Sequence, residues 1–155
     1  MSAKDKNIMT MQDADQIIRY AVDADGIATL TIDYPGKTMN VIDHAFMDSL
    51  AGCIDKIASD AKVKGAIITS GKDSFVAGAD LLGMEANIDK MAGLPMAELV
   101  EQCGSLSLLM RRLETCGKPV VAAINGLALG GGYEICLASH YRIASDAPGV
   151  AVGLP

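Results

Sequence analysis

The chain has no tryptophan and only two phenylalanines among its 155 residues. Its core must therefore rest on Ala, Val, Ile, Leu and Met. Half of the residues are apolar all the same, which excludes a disordered polymer and fits an ordinary α/β protein. Positive charge is scarce as well: the formal net charge is −6, with no basic run. That balance argues against a nucleic-acid surface and leaves room only for a local basic patch facing a phosphorylated ligand. No uninterrupted apolar stretch approaches membrane-spanning length, and residues 1–16 lack the apolar region of a signal peptide. The four cysteines (Cys53, Cys103, Cys116 and Cys136) form no CxxC pair and show no metal-like spacing. Three lie in apolar helical patterns, as reduced core thiols of a cytoplasmic protein do. His44 and His140 stand far apart, so no zinc motif and no metal site is expected.

A chain of this length predicts one domain, able to bury roughly two-thirds of its unfolded surface. Residues 1–15 read as a loose polar arm, and 16–155 as the folded part. Ile17–Val22 and Ile27–Tyr34 read as a hairpin hinged on Asp23-Ala24-Asp25-Gly26, the second run alternating cleanly before Pro35-Gly36 ends it. Asp43 is placed to N-cap a helix carrying Phe46, Leu50, Ile54 and Ile57 at helical spacing. A short buried strand is expected over 65–70, and a loop with a short helix over 81–95. A long helix should follow from Met96 to Leu113, with Leu99, Cys103, Leu106, Met110 and Leu113 as its core stripe. Val120–Ile124 reads as a strand, 131–139 as a helix and Tyr141–Ala144 as a returning strand. Strands alternating with helices make a layered α/β fold.

Two small-residue segments carry the chemistry. The first is Ser74-Phe75-Val76-Ala77-Gly78-Ala79-Asp80. The second runs from Val120 through Asn125-Gly126-Leu127-Ala128-Leu129-Gly130-Gly131-Gly132-Tyr133-Glu134. Gly and Ala leave backbone N–H groups uncovered, and the second segment feeds a helix N-terminus, where unpaired N–H groups favour negative charge. Two such donors on one oxygen form an oxyanion hole, and a carboxylate, Glu134, follows at once. A phosphate loop would end in Gly-Lys-Ser/Thr, whereas Gly-Tyr-Glu stands here, and the dinucleotide fingerprint lacks its second glycine. The plainer structural reading is that the glycines allow close packing and Glu134 complements the helix dipole. Yet three glycines opening a helix cost about 1 kcal/mol each relative to Ala, which asks for a reason. A serine hydrolase using Ser74, Ser105 or Ser139 with His140 lacks the Gly-x-Ser-x-Gly elbow.

Together these segments resemble the crotonase (enoyl-CoA hydratase/isomerase) superfamily, from about Ile27 onward. Gly36-Lys37-Thr38-Met39-Asn40 is similar to its early substrate-binding turn. The details are most similar to the N-terminal hydratase domains of multifunctional fatty-acid-oxidation α subunits. The resemblance implies an α/β fold with a crotonase-like ββα spiral core, and enoyl-CoA hydration in fatty-acid β-oxidation. It implies that the N–H groups of Ala79 and Gly131 hold the thioester oxygen, each donor worth about 3 kcal/mol of barrier, and that Glu134 activates water. Ala77, Gly78, Asp80, Gly130 and Met39 would line the acyl-CoA, with Lys37 and Lys72 near the CoA phosphates. Met84, Met91 and Met96 are further candidates for an acyl tunnel.

The resemblance implies coenzyme A as the substrate's carrier, no cofactor for hydration, and NAD only in a dehydrogenase region that this sequence does not encode. An oligomer is expected, with a thiolase β subunit as the partner in the parent complex. Hydratases of this kind use two glutamates, the second after a Gly-x-Pro stretch. Here Gly153-Leu154-Pro155 closes the sequence, so the second glutamate and the helices completing the spiral are expected beyond Pro155. The alternatives are another reaction on acyl-CoA, such as isomerisation or hydrolysis, and a non-catalytic CoA-binding or oligomerising unit.

Overall fold

A computed structural model describes residues 16–85 and 93–155. The expected polar arm at 1–15, and Met91, lie outside the described residues. β1 (Ile18–Val22) and β2 (Ile27–Ile32) form the expected antiparallel hairpin, Val22 facing Ala28. Its turn closes because the Asp23 carboxylate accepts the N–H groups of Asp25 and Ile27 at 3.0 and 2.8 Å. Along β2, Ala28, Leu30 and Ile32 are buried while the residues between them are half-buried, the two-residue period of a strand lying on a core.

The chain then crosses over through α1 (His44–Ser59) to β3 (Gly65–Ser70), parallel to β2. Asp43 caps α1 as expected, accepting the Phe46 N–H at 2.9 Å. After the short α2 (Leu81–Glu85) and the long α3 (Met96–Glu114), β4 (Val120–Ile124) adds parallel to β3. Next come β5 (Ala128–Leu129), α4 (Gly131–Ala138) and β6 (Tyr141–Ala144), the last parallel to β4. The main sheet thus runs β1-β2-β3-β4-β6. A second, two-stranded parallel sheet pairs β5 with β7 (Val152–Gly153), which the sequence pattern did not indicate.

Leu30, Ile32, Ile68, Val120, Ala122 and Ile124 of the sheet join Phe46, Leu50, Ile54 and Ile57 of α1 in one core. Fully burying such a side chain contributes about 1.5–3 kcal/mol. On α3 the expected stripe faces inward, with Leu99 half-buried and the side chain of Cys103 outside the described set, and Leu109 joins it. Leu109 and Leu113 are buried and Leu106 and Met110 partly so, whereas Met96, Val100 and Leu108 face solvent. Cys53 and Cys136 are core residues, and burial raises both thiols, that of Cys136 to about 12. The edge strand β6 keeps Tyr141 and Ile143 exposed, and Leu137 and Leu154 are exposed too. No helix among the described residues is long and apolar enough to cross a membrane.

One buried amide fastens the ends of the central strands. Asn40 is fully enclosed, and its Nδ2 donates to Ile32 O at 3.2 Å, Ser70 Oγ at 2.9 Å and Phe75 O at 3.0 Å. Its Oδ1 accepts the Tyr34 N–H at 2.9 Å, and its main-chain oxygen accepts the Ala77 N–H at 2.8 Å. Replacing Asn40 by Ala keeps the main-chain bond to Ala77 but strands the partners of the side-chain amide away from water, each at roughly 1–3 kcal/mol before relaxation. Asn40→Ala is therefore expected to lower unfolding free energy by about 3 kcal/mol in urea denaturation; a loss under about 1 kcal/mol contradicts the hub.

Candidate active site

The loops after β2, β3 and β4 leave the same end of the parallel strands, and the site is built there. Asn125 joins two of them: its Nδ2 donates to Ser70 O at 3.0 Å, and its Oδ1 accepts the Ser70 N–H at 3.3 Å. Downstream, Val76 and Ala128 form a parallel bridge, and Leu129 N–H donates to Val76 O at 3.0 Å. The two small-residue segments therefore lie side by side. A Cβ on Gly130 would sit 4.0 Å from Gly78 Cα, and one on Gly78 would sit 3.2 Å from Leu129 O.

Gly78 and Gly130 have φ of 105° and 50°, backbone that other residues resist. Gly130 turns β5 into α4. Its N–H donates to Gly153 O at 2.9 Å, and its carbonyl accepts the N–H groups of Tyr133 and Glu134. Gly131 and Gly132 then stand at the start of α4 with N–H groups that donate to no described acceptor. Packing explains Gly132, because a Cβ there would lie 2.2 Å from Val76 O. On the first segment, Ile42 bridges Ala79 in parallel register: Ile42 N–H donates to Gly78 O at 2.8 Å, and Asp80 N–H to Ile42 O at 3.0 Å. That pairing spends the peptide groups flanking Ala79. The N–H of Ala79 itself faces away from Ile42, and Ala79 is exposed.

Glu134 projects from the first turn of α4 and is exposed. It lines an open groove of about 350 Å³ between α3 and α4 with Ser107, Met110, Arg111, Glu114, Leu137 and Ala138. Ala79 and Gly131 are not in that lining, but Glu134 Oε2 lies 3.8 Å from the place a Cβ on Gly131 would take. Arg111 and Glu114 pair at 2.6 Å along the groove.

The remaining candidates are placed as follows. Lys37 Nζ binds Asp80 Oδ2 at 2.6 Å, lies 4.0 Å from Asp43 and sits over the Tyr34 ring at 4.8 Å. Tyr34 donates its hydroxyl proton to Asp43, and that bond pushes its phenol up to about 12. Asp80 also accepts the Gly83 N–H at 3.3 Å and so caps α2. Lys72 Nζ is 3.0 Å from Asp33, whose other oxygen holds Arg19 at 2.7 Å. Both lysines thus stand in ion pairs on either side of the segment. Ala77 is held by Asn40, and Met39 and Met96 are exposed. The side chain of Met84 is outside the described set.

His140 Nδ1 accepts the Val120 N–H at 3.1 Å, a structural contact continuing the sheet. Among the described residues no cluster of three or more His, Cys, Asp or Glu could hold a metal ion. Asn40, Ile42 and Asn125 were not singled out in the sequence. A polar residue set among apolar neighbours, as in Met39-Asn40-Val41-Ile42, was the available signal.

The family model described as enoyl-CoA hydratase/isomerase matches residues 23–153. Relatives include the fatty acid oxidation complex subunit alpha of Pseudomonas syringae pv. tomato, 42% identical over 130 residues, and that of Idiomarina loihiensis, 39% identical over 142. Those alignments take in 84% and 91% of this chain but only 17% and 19% of the relatives. Among solved structures, an enoyl-CoA hydratase from Bacillus anthracis superposes with a TM-score of 0.73 at 28% identity, covering 90% of this chain and 50% of that one. An enoyl-CoA hydratase/isomerase from Xanthobacter autotrophicus gives 0.75 at 26% identity, covering 90% and 49%. The fold is the crotonase fold, of which this chain spans about half.

The Arg19–Asp33–Lys72 triad generates a prediction about pH. The Arg19 hydrogen bond, then that of Lys72, holds the Asp33 carboxyl below the usual carboxylate range. A carboxylate depressed in the folded state stabilises above its unfolded pKa, about 4, and that contribution is lost as pH falls through the lower folded value. Asp33→Asn should cost about 1 kcal/mol at pH 7, with the difference from the parent shrinking below about pH 4. A difference that stays constant from pH 7 to pH 3 in urea titrations contradicts the triad's role.

Proposed function

Because the chain belongs to the enoyl-CoA hydratase/isomerase family, we propose that it is the part of an enoyl-CoA hydratase that grips the thioester and presents water to it. The observation that carries this reading is the pair of neighbouring segments whose Ala79 and Gly131 N–H groups donate to no described acceptor, with Glu134 one turn beyond. Two N–H donors on the thioester oxygen draw electron density from the conjugated double bond, so that C3 becomes electrophilic. The water oxygen bonds to C3 as the C2–C3 π pair moves into the enolate, whose oxyanion the two donors stabilise. Protonation at C2 then completes a 3-hydroxyacyl thioester. Glu134 accepts the proton of the attacking water as general base. The acid that delivers a proton to C2 is assigned, by the family resemblance, to a second glutamate outside these 155 residues.

Coenzyme A enters and leaves as part of the substrate, so hydration needs no resident cofactor. The relatives' shared name, fatty acid oxidation complex subunit alpha, supports work on β-oxidation intermediates and assembly with other chains. We assign a thiolase β subunit as the partner in that assembly. NAD belongs, on this reading, to a separate dehydrogenase region.

A second reading, acyl-CoA binding without turnover, is favoured by the exposure of Glu134 in an open groove. Loss of the enoyl absorbance of 2-butenoyl-CoA separates the two. If hydration is the function, a longer polypeptide that carries the second glutamate should turn over, and Glu134→Gln in it should lower turnover about 100-fold or more with thioester affinity little changed. Saturable thioester binding with no turnover by either protein supports the second reading. Absence of saturable binding contradicts both.

A further inference from the structure

Ile42 touches both halves of the proposed oxyanion site. Its main chain pairs on either side of Ala79, to Gly78 O at 2.8 Å and from Asp80 N at 3.0 Å. Its side chain, 7% exposed, reaches the other half: Cδ1 lies 2.7 Å from where a Cβ on Gly131 would stand. Leu106 Cδ2 closes the same spot at 3.2 Å. The two segments are zipped together at Val76, Ala128 and Leu129, a few residues before the two donors. Past that point each follows its own path, Ala79 toward α2 and Gly131 into α4. Ile42 stands between them there.

We infer that Ile42 is a positioning residue that sets the spacing between the Ala79 and Gly131 N–H groups, and that Gly131 is glycine because Ile42 and Leu106 occupy the place of its side chain. Two donors serve one oxygen only when both lie within hydrogen-bond reach of it, and their attraction weakens steeply when either is misaligned. The Ile42 main chain fixes one donor and its side chain abuts the residue bearing the other. A change in its length is therefore transmitted to their separation. The inference rests on the oxyanion reading proposed above.

The probe is a 3-arylpropenoyl-CoA, whose absorption moves to longer wavelength when its carbonyl oxygen is strongly hydrogen-bonded. Spectra are taken at saturation on the parent chain, I42V, G131A and the double variant I42V/G131A. The parent should show the red shift, and I42V should lose at least half of it while still binding. G131A, whose methyl collides with Ile42, should lose most of it. The double variant should recover part, because the new methyl takes the space that Cδ1 vacates. Without ligand, G131A should lower Tm less in the I42V background than in the parent. A parent red shift unchanged in I42V and not restored in the double variant overturns the role of Ile42 and leaves the oxyanion site standing. Equal Tm effects of G131A in both backgrounds overturn the contact itself. A saturated parent with no red shift overturns the oxyanion reading, and this inference with it.

Discussion

The site depends on the hydrogen bonds of one enclosed amide. Parallel strands β2, β3 and β4 end at the same level, and their ladders stop there, so nothing in the sheet itself orders the loops that follow. Asn40 supplies that order for the first two loops. It is anchored to Ile32 O and Ser70 Oγ, at the last residues of β2 and β3, and it reaches Phe75 and Ala77 on the segment that leads to Ala79. Asn125 repeats the device between β3 and β4 through Ser70. Each amide takes over pairing that the ladder would otherwise have continued. An interior with few aromatics uses side-chain amides here as substitute backbone.

From that frame the small residues acquire separate reasons. Gly126 and Gly132 are packing glycines, with Asp73 O and Val76 O standing where a Cβ would go. Gly130 is conformational, its φ of 50° turning a strand into a helix. Gly131, like Gly132, combines an N–H without a described acceptor with a crowded Cβ position, but at Gly131 the crowding comes from the side chains of Ile42 and Leu106 and not from backbone. The cost of three adjacent glycines at a helix start is thus distributed over close packing, backbone geometry and an open donor. Neither packing nor ligand binding explains all three.

Much of this was legible in the residues, because local rules governed it. The alternation of β2, the Asp23 turn, the Asp43 cap and the apolar spacing of α1 are properties of short windows, and the structure realises each of them. What escaped depends on residues far apart in sequence. β5 and β7 are two residues each and exist only because they meet. Leu109 is buried where the expected stripe ran beside it, since the packing of α3 against its neighbours and not its own period selects the face. Lys37 and Lys72 illustrate the converse limit. Their charge was visible, but their partners, Asp80 and Asp33, lie tens of residues away in sequence. The paired segments carried the family resemblance, whereas the side chain that stands between them, Ile42, has no local signature.

In the proposed function, Ala79 and Gly131 donate together to one thioester oxygen. The most direct measurement follows their backbone amide protons by 1H–15N NMR while butanoyl-CoA, a saturated thioester that cannot be hydrated, is titrated in. Both amide protons should move downfield along one saturation curve, and free coenzyme A should not produce the same movement. Saturable binding of the thioester with both amides unmoved would contradict that shared donation.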